Sequence, residues 1–294
     1  MTVAKPLTPQ DIYVSSAFNA ASSSSYGLGI YVDGDYLLYS ITNEQHEPLL
    51  LRQYKNRDGL DFKSFMEAVW QQDDIMRKRF RQGQIILELD KWMVIPAEYV
   101  PEGQELEYLQ AVYDIRYPQA YAPRKEILKG SGVAFLSWMP KNLQEYLQVR
   151  TSSFTIYHAS HRYTQLSRYL LQTHLQHRSY IGLIWLFLGS FYYVLFAGQN
   201  LLFINKFHAT TAEDVLYYVQ GLHSLLGIDK SEVGIAVGGY SGLKSFVATM
   251  MYRFFGAGYR DLGKLYPPPP TLKEVGLGME DILHLSWVGA DSAG

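Results

Sequence analysis

The chain contains no cysteine. That excludes disulfides, thiolate nucleophiles and cysteine-ligated zinc, and it fits a reducing compartment. An excess of one charge is lacking too: 26 Lys and Arg stand against 28 Asp and Glu, a formal net charge of −2. No basic surplus marks a polyanion binder, so no nucleic-acid partner is expected. The first residues, "MTVAKPLTPQDIYV", hold no basic segment followed by an apolar stretch, and no secretory signal is expected. Charged residues make up 18% of the 294 positions and hydrophobic ones 48%, enough to fill the core of two medium domains or one large one. Aromatics reach 15%, with 24 Tyr, and these side chains favour pleated surfaces, so sheets are expected.

One run, Ser179 to Ile204, has no charged residue at all. Its length would suit a transmembrane helix. Gly189-Ser190 and Gly198-Gln199-Asn200 cut it into pieces of strand length, rich in Ile, Val, Phe, Tyr and Trp. The reading is therefore three strands, near 180–188, 191–197 and 200–206, buried on both faces, with no transmembrane segment and a cytoplasmic location.

A helix should follow those strands. Thr210 and Glu213 fit a capping box, Val215, Tyr218, Val219, Leu222, Leu225 and Leu226 share a face, and Gly227 supplies a stop. A strand over 232–239, a helix opened by Ser241 with Leu243, Phe246, Val247, Met250 and Phe254 inward, and a short strand near 259–262 complete β-β-β-α-β-α-β. The first half repeats that order. Strands over 26–32 and 36–42 flank Asp33-Gly34, a hairpin signal. A third strand covers 48–54, a helix runs from about Asp61 to Arg81, and a strand covers 84–89. After an irregular polar stretch from about Pro96 to Ser131 come the strand "GVAFLSWM", a helix from Pro140 to Arg150, a strand over 154–160 and a connecting helix over 162–176. The expected domains are 20–177 and 178–294, the second with a Pro-rich tail, "YPPPPTL", in extended polyproline form. "AASSSS" (20–25) is expected to be a flexible lead.

Three antiparallel strands followed by helical crossovers to parallel strands, occurring twice, give an α/β protein of two ribonuclease-H-like domains. With "LGIYVDGDY", "IGLIWLFLGSFYYVLF" and "IAVGGYSG", this order resembles the actin-like ATPase superfamily. The resemblance is greatest to a bacterial, mainly Bacteroidetes, family of unknown function with that fold, and it extends to actin-like proteins of pilus assembly and type II secretion. It implies an actin-like arrangement of the domains and two phosphate loops, each with an Asp near the end of a domain's first strand that helps hold hydrated magnesium. In this sequence Tyr31 and Trp185 stand at those two positions. Asp33 lies two residues past the first, within the hairpin, and no acid lies between Ser179 and Ile204. Magnesium needs oxygen ligands, usually carboxylates beside phosphate oxygens. Gly238 and Gly239 match the glycine pair against which adenosine packs in the superfamily, although a plain strand-to-helix turn would use them too.

Other motifs have simpler explanations. "GYRDLGKL" (258–265) nearly matches a Walker A loop but follows a helix, and Leu265 replaces the required Ser or Thr. Ser241 and Lys244 form Ser-x-x-Lys without its companion motifs. His158 with His161, and His174 with His177, have metal-like spacing but no acid beside them. Glu88 and Asp90 at a strand end offer too little for a two-metal nuclease. "RKRFR" (77–81) suits a helix C-terminus. The expectation is a non-catalytic, degenerate actin-like interaction or scaffold protein with no cofactor, an unidentified protein partner and a homodimer as an option. The alternative is a switch binding ATP with magnesium through Asp33, Gly238 and Gly239.

Overall fold

The computed structural model describes residues 7–151, 153–174, 178–187 and 189–285. Contacts divide them into two compact units, one reaching His161 and including Leu285, the other running from Arg162 to His284.

The first unit begins with β1 (Gln10–Val14), a 3-10 turn over Ala20–Ser25, β2 (Gly27–Val32), β3 (Tyr36–Thr42), β4 (Pro48–Lys55), α1 (Phe62–Gln72) and β5 (Gln82–Leu87). It continues with β6 (Trp92–Pro96), α2 (Glu105–Val112), β7 (Tyr121–Leu128), β8 (Val133–Pro140), α3 (Lys141–Arg150), β9 (Phe154–His158) and the start of α4 (Ala159–His174). The main sheet runs β1-β4-β3-β2-β5-β9, with β2, β5 and β9 parallel. Phe65, Met66 and Val69 of α1 and Leu143 and Leu147 of α3 pack on one face with Ile30, Ile85 and Leu87. Gly29 has no room for a side chain, because a Cβ there would lie 2.0 Å from the Leu285 carbonyl oxygen, which Gln84 Nε2 also reaches at 2.9 Å.

Three expectations change here. The segment 20–25 is ordered: Asn19 caps it and Ser23 is buried. The polar stretch after β5 is a β-layer of its own, with order β6-β8-β7 and α2 against it around Leu109 and Trp138. Its outer strands are only half buried, and β7 carries Arg124, Lys125 and Glu126 in its middle. The first helix stops at Gln72, not Arg81. Asp73 is buried and its Oδ1 accepts the Ile75 and Met76 amides, which turns the chain out of the helix.

The second unit follows the rest of α4 with β10 (Tyr180–Phe187), β11 (Ser190–Ala197), β12 (Asn200–His208), α5 (Ala212–Leu226), β13 (Val233–Gly239), α6 (Lys244–Phe255) and β14 (Tyr259–Arg260). Three short tail helices come last, α7 (Leu262–Leu265), α8 (Pro270–Glu274) and α9 (Met279–Ile282). The sheet order β12-β11-β10-β13-β14 repeats that of β4-β3-β2-β5-β9 in the first unit. The uncharged run is therefore two central strands and an edge strand, and no described helix is long and apolar enough to cross a membrane. One face of β10 packs Ile184 and Leu186 toward Val215, Val219, Val247 and Met251. The other carries Trp185 and Phe187, whose rings meet Tyr163 of α4. Burial on both faces of β10 and β11 explains the absence of alternation there, whereas β12, expected to be buried on both faces too, is partly exposed as the edge strand of the sheet.

Helix details differ by a residue or two. The capping box of α5 uses Thr211 and Asp214, not Thr210 and Glu213. Gly227 ends α5 at φ +67°, the left-handed stop the sequence expects. Tyr218, Leu225, Leu226 and Phe246 are exposed rather than inward, and Met251 and Phe255 join Val247 on the buried face of α6. The proline run is not extended throughout, since Pro270 opens α8.

Candidate functional site

In the second unit, Trp185 is fully buried at the position where the superfamily resemblance puts an acid. In register it sits between Tyr192 on β11 and Gly238 on β13. Its Nε1–H donates to Ser167 Oγ at 2.9 Å, and its ring stacks on Tyr163 with centroids 5.7 Å apart. The hairpin beyond it is tight: Phe187 pairs with Ser190, and Gly189 adopts φ +80°. No carboxylate is supplied by this hairpin.

The same tryptophan accounts for the first glycine of the Gly238-Gly239 pair. A Cβ on Gly238 would stand 2.6 Å from Trp185 Cζ3. Gly239 is at φ +97°, where its Cβ would lie 2.2 Å from the Leu186 carbonyl oxygen. Both glycines are thus required by the packing of β13 on β10, whatever else they contact. Ser241 does not cap α6 itself. Its Oγ accepts the Leu243 amide in the preceding turn, and the helix starts three positions later.

In the first unit, Tyr31 is 3% exposed and its hydroxyl lies 3.4 Å from Asp33 Oδ2 and 3.3 Å from Glu88 Oε2. The β2–β3 hairpin closes with the Asp33 N–H donating to the Tyr36 carbonyl. Asp33 Oδ1 accepts the amides of Asp35 and Tyr36 at 2.8 and 2.6 Å, so the carboxylate holds the turn together. Gly34 does not take a positive φ, and the turn is therefore not the mirror-image type that Asp-Gly suggests.

Sequence reasoning missed three polar clusters. In the first, Asp73 Oδ2 accepts the hydroxyls of Tyr39 and Tyr54 at 2.7 and 2.8 Å and an Arg52 N–H at 3.2 Å. Burial works against its charge, but these partners hold the carboxyl below the usual range. In the second, Lys244 reaches Glu280 at 2.9 Å and Asp281 at 2.5 Å. Burial again opposes the charge, yet the two carboxylates hold the ammonium above its usual value. The lysine of Ser-x-x-Lys thus fastens the tail instead of activating Ser241.

The third cluster contains the first histidine pair. His161 Nδ1 lies 2.7 Å from Glu126, whose carboxylate also accepts the His158 amide. His158 Nε2–H donates to the Leu89 carbonyl at 3.0 Å, and Nδ1 accepts from the Ser160 amide and hydroxyl at 3.1 and 2.7 Å. Burial pushes the His158 pKa down to about 4. A histidine lowered in the fold contributes stability that is complete above its unfolded pKa of about 6.5 and is lost as pH falls toward the folded value. His158 is therefore expected to remain a neutral Nε2–H tautomer at pH 6, read by nitrogen shifts in NMR, and a midpoint near 6.5 would contradict the geometry. His177 lies outside the described residues, as does the side chain of His174. Among the described residues no group of three or more His, Asp or Glu side chains is placed to hold a metal ion.

Comparison with solved structures agrees with the strand order. A Bacteroides thetaiotaomicron protein with actin-like ATPase fold and unknown function superposes with a TM-score of 0.69 at 16% identity, over 89% of this chain and 100% of that one. The PilM-PilN type IV pilus biogenesis complex matches with a TM-score of 0.57 at 12% identity, over 88% of this chain and 97% of the other. At such identities the likeness is one of fold. No curated protein matches the sequence. A family model described as "Protein of unknown function (DUF3822)" matches residues 15–257. The chain has the actin-like ATPase fold and belongs to the DUF3822 family.

Proposed function

We propose that this chain is a non-catalytic actin-like protein of the cytoplasm that works by holding a protein partner. The observation that supports this most is Trp185, a fully buried indole at the second phosphate-loop position, hydrogen-bonded to Ser167 and pressed against Gly238. A magnesium-nucleotide site needs anionic oxygen there, and an indole offers only a donor. At the first position Tyr31 stands in for the acid, and the nearby Asp33 is engaged in closing its own hairpin. A cysteine-free chain suits a reducing compartment. A fold relative is known within a pilus biogenesis complex, which lends weight to a role in assembly rather than turnover.

Titration calorimetry with ATP, with and without magnesium, tests the proposal. The expected outcome is no magnesium-dependent binding and no phosphate release above background. Micromolar affinity that strengthens with magnesium would sink it.

A further inference from the structure

The "RKRFR" run is not a helix end. Since α1 stops at Gln72, these residues form a loop anchored by three buried side chains, Asp73, Met76 and Phe80. The Lys78 amide donates to the Ile75 carbonyl, and the Arg81 amide donates to the Tyr26 carbonyl at the head of β2. Arg77 to Arg81 are thus displayed from a braced backbone. They meet Arg150, the last residue of α3, around a cavity of about 450 Å³. Among the described residues five cations line it, Arg77, Lys78, Arg79, Arg81 and Arg150, and no acidic residue does. Arg77 pairs with Asp74 and Arg81 with Glu44 at 3.4 Å, both on solvent-exposed carboxylates. Lys78, Arg79 and Arg150 have no carboxylate at ion-pair distance among the described residues.

Two segments far apart in sequence therefore converge like charge on one concavity, in a chain whose net charge is −2. Such convergence is repulsive in the empty fold and focuses potential on the cavity. The ligand that relieves it must carry several negative charges within a few ångströms. Four of the five cations are arginines, whose planar forks match phosphate oxygens. The volume is that of a small-molecule site, and the cations gather in one hollow rather than along a stripe suited to nucleic acid. We propose that this cavity in the first unit binds a compact, multiply phosphorylated small molecule.

Calorimetry on the full chain with inorganic tripolyphosphate, at about 150 mM salt and without magnesium, tests this. One saturable site is expected, weakened about tenfold or more in the Arg79→Ala/Arg150→Ala double variant. Both side chains are exposed, so the variant is expected to keep its melting temperature, which circular dichroism checks. The Lys230→Ala/Lys264→Ala control should bind as the parent does. Magnesium should weaken this site by neutralising the ligand, the reverse of a family-type nucleotide site, so failure here and failure of the non-catalytic reading give different results. No saturable binding, equal affinity in the double variant, equal weakening in the control, or tighter competing binding by duplex DNA or a poly-glutamate peptide would overturn the proposal.

Discussion

Trp185→Ala is expected to lower the stability of the second unit by about 4 to 6 kcal/mol, read by urea unfolding followed by far-UV circular dichroism. Removing a fully buried indole costs about 3 to 5 kcal/mol in transfer and cavity terms. The Ser167 hydroxyl, left without its 2.9 Å donor, adds about 1 kcal/mol or more. Trp185→Phe keeps most of the stacking on Tyr163 and should lose only about 1 to 2 kcal/mol. The informative measurement is the cycle with Gly238. Gly238→Ala in the parent forces a methyl to within 2.6 Å of the indole and should cost about 2 kcal/mol. In the Trp185→Ala background the same methyl enters the vacated space, and its cost should largely vanish. Additive effects would mean that Gly238 is constrained by something other than Trp185, and a role for the glycine pair in ligand contact would regain support.

How much of this could be read from residues alone depended on whether the deciding contact was local. The strands of the second unit were legible because Gly189 and Gly198 interrupt an otherwise unbroken apolar run, and both do adopt positive φ. Tyr31 and Trp185 could be placed on β2 and β10 from the sequence, and both are buried there. The reason for Gly238 was not legible, since it requires the parallel register that sets Trp185 beside it. Periodicity carried α1 too far because Met76 and Phe80 are apolar and four apart, the spacing of one helical face. What ends the helix is the burial of one carboxylate among tyrosines of β3 and β4, which no local pattern announces. The cationic cavity was invisible for a like reason. Arg150 closes it from α3, and a window holding only residues 77–81 reads as a solvated end.

Asp73→Ala should be the most damaging single change in the first unit, at about 3 to 5 kcal/mol. It would leave two tyrosine hydroxyls and part of a guanidinium without their acceptor, in a site where Tyr39 and Tyr54 are almost wholly buried. Asp73→Asn preserves shape and can still accept, so about 1 to 2 kcal/mol is expected near pH 7. The two variants also separate charge from anchoring. The folded carboxyl is depressed, so its contribution is complete above the unfolded pKa of about 3.9 and is lost as pH falls through the lower folded value. The gap between parent and Asp73→Asn should therefore close as pH drops below about 4, and urea midpoints measured at pH 7 and in that acid range would show it. A gap independent of pH would mean that the ionised carboxylate is not what the network stabilises. Because Oδ1 of the same residue accepts the Ile75 and Met76 amides, the substitution reaches the cationic loop as well. Asp73→Asn keeps an acceptor for those amides and should retain tripolyphosphate binding. Asp73→Ala frees the backbone from which Arg77 to Arg81 project, and the affinity should fall even though no cation has been removed.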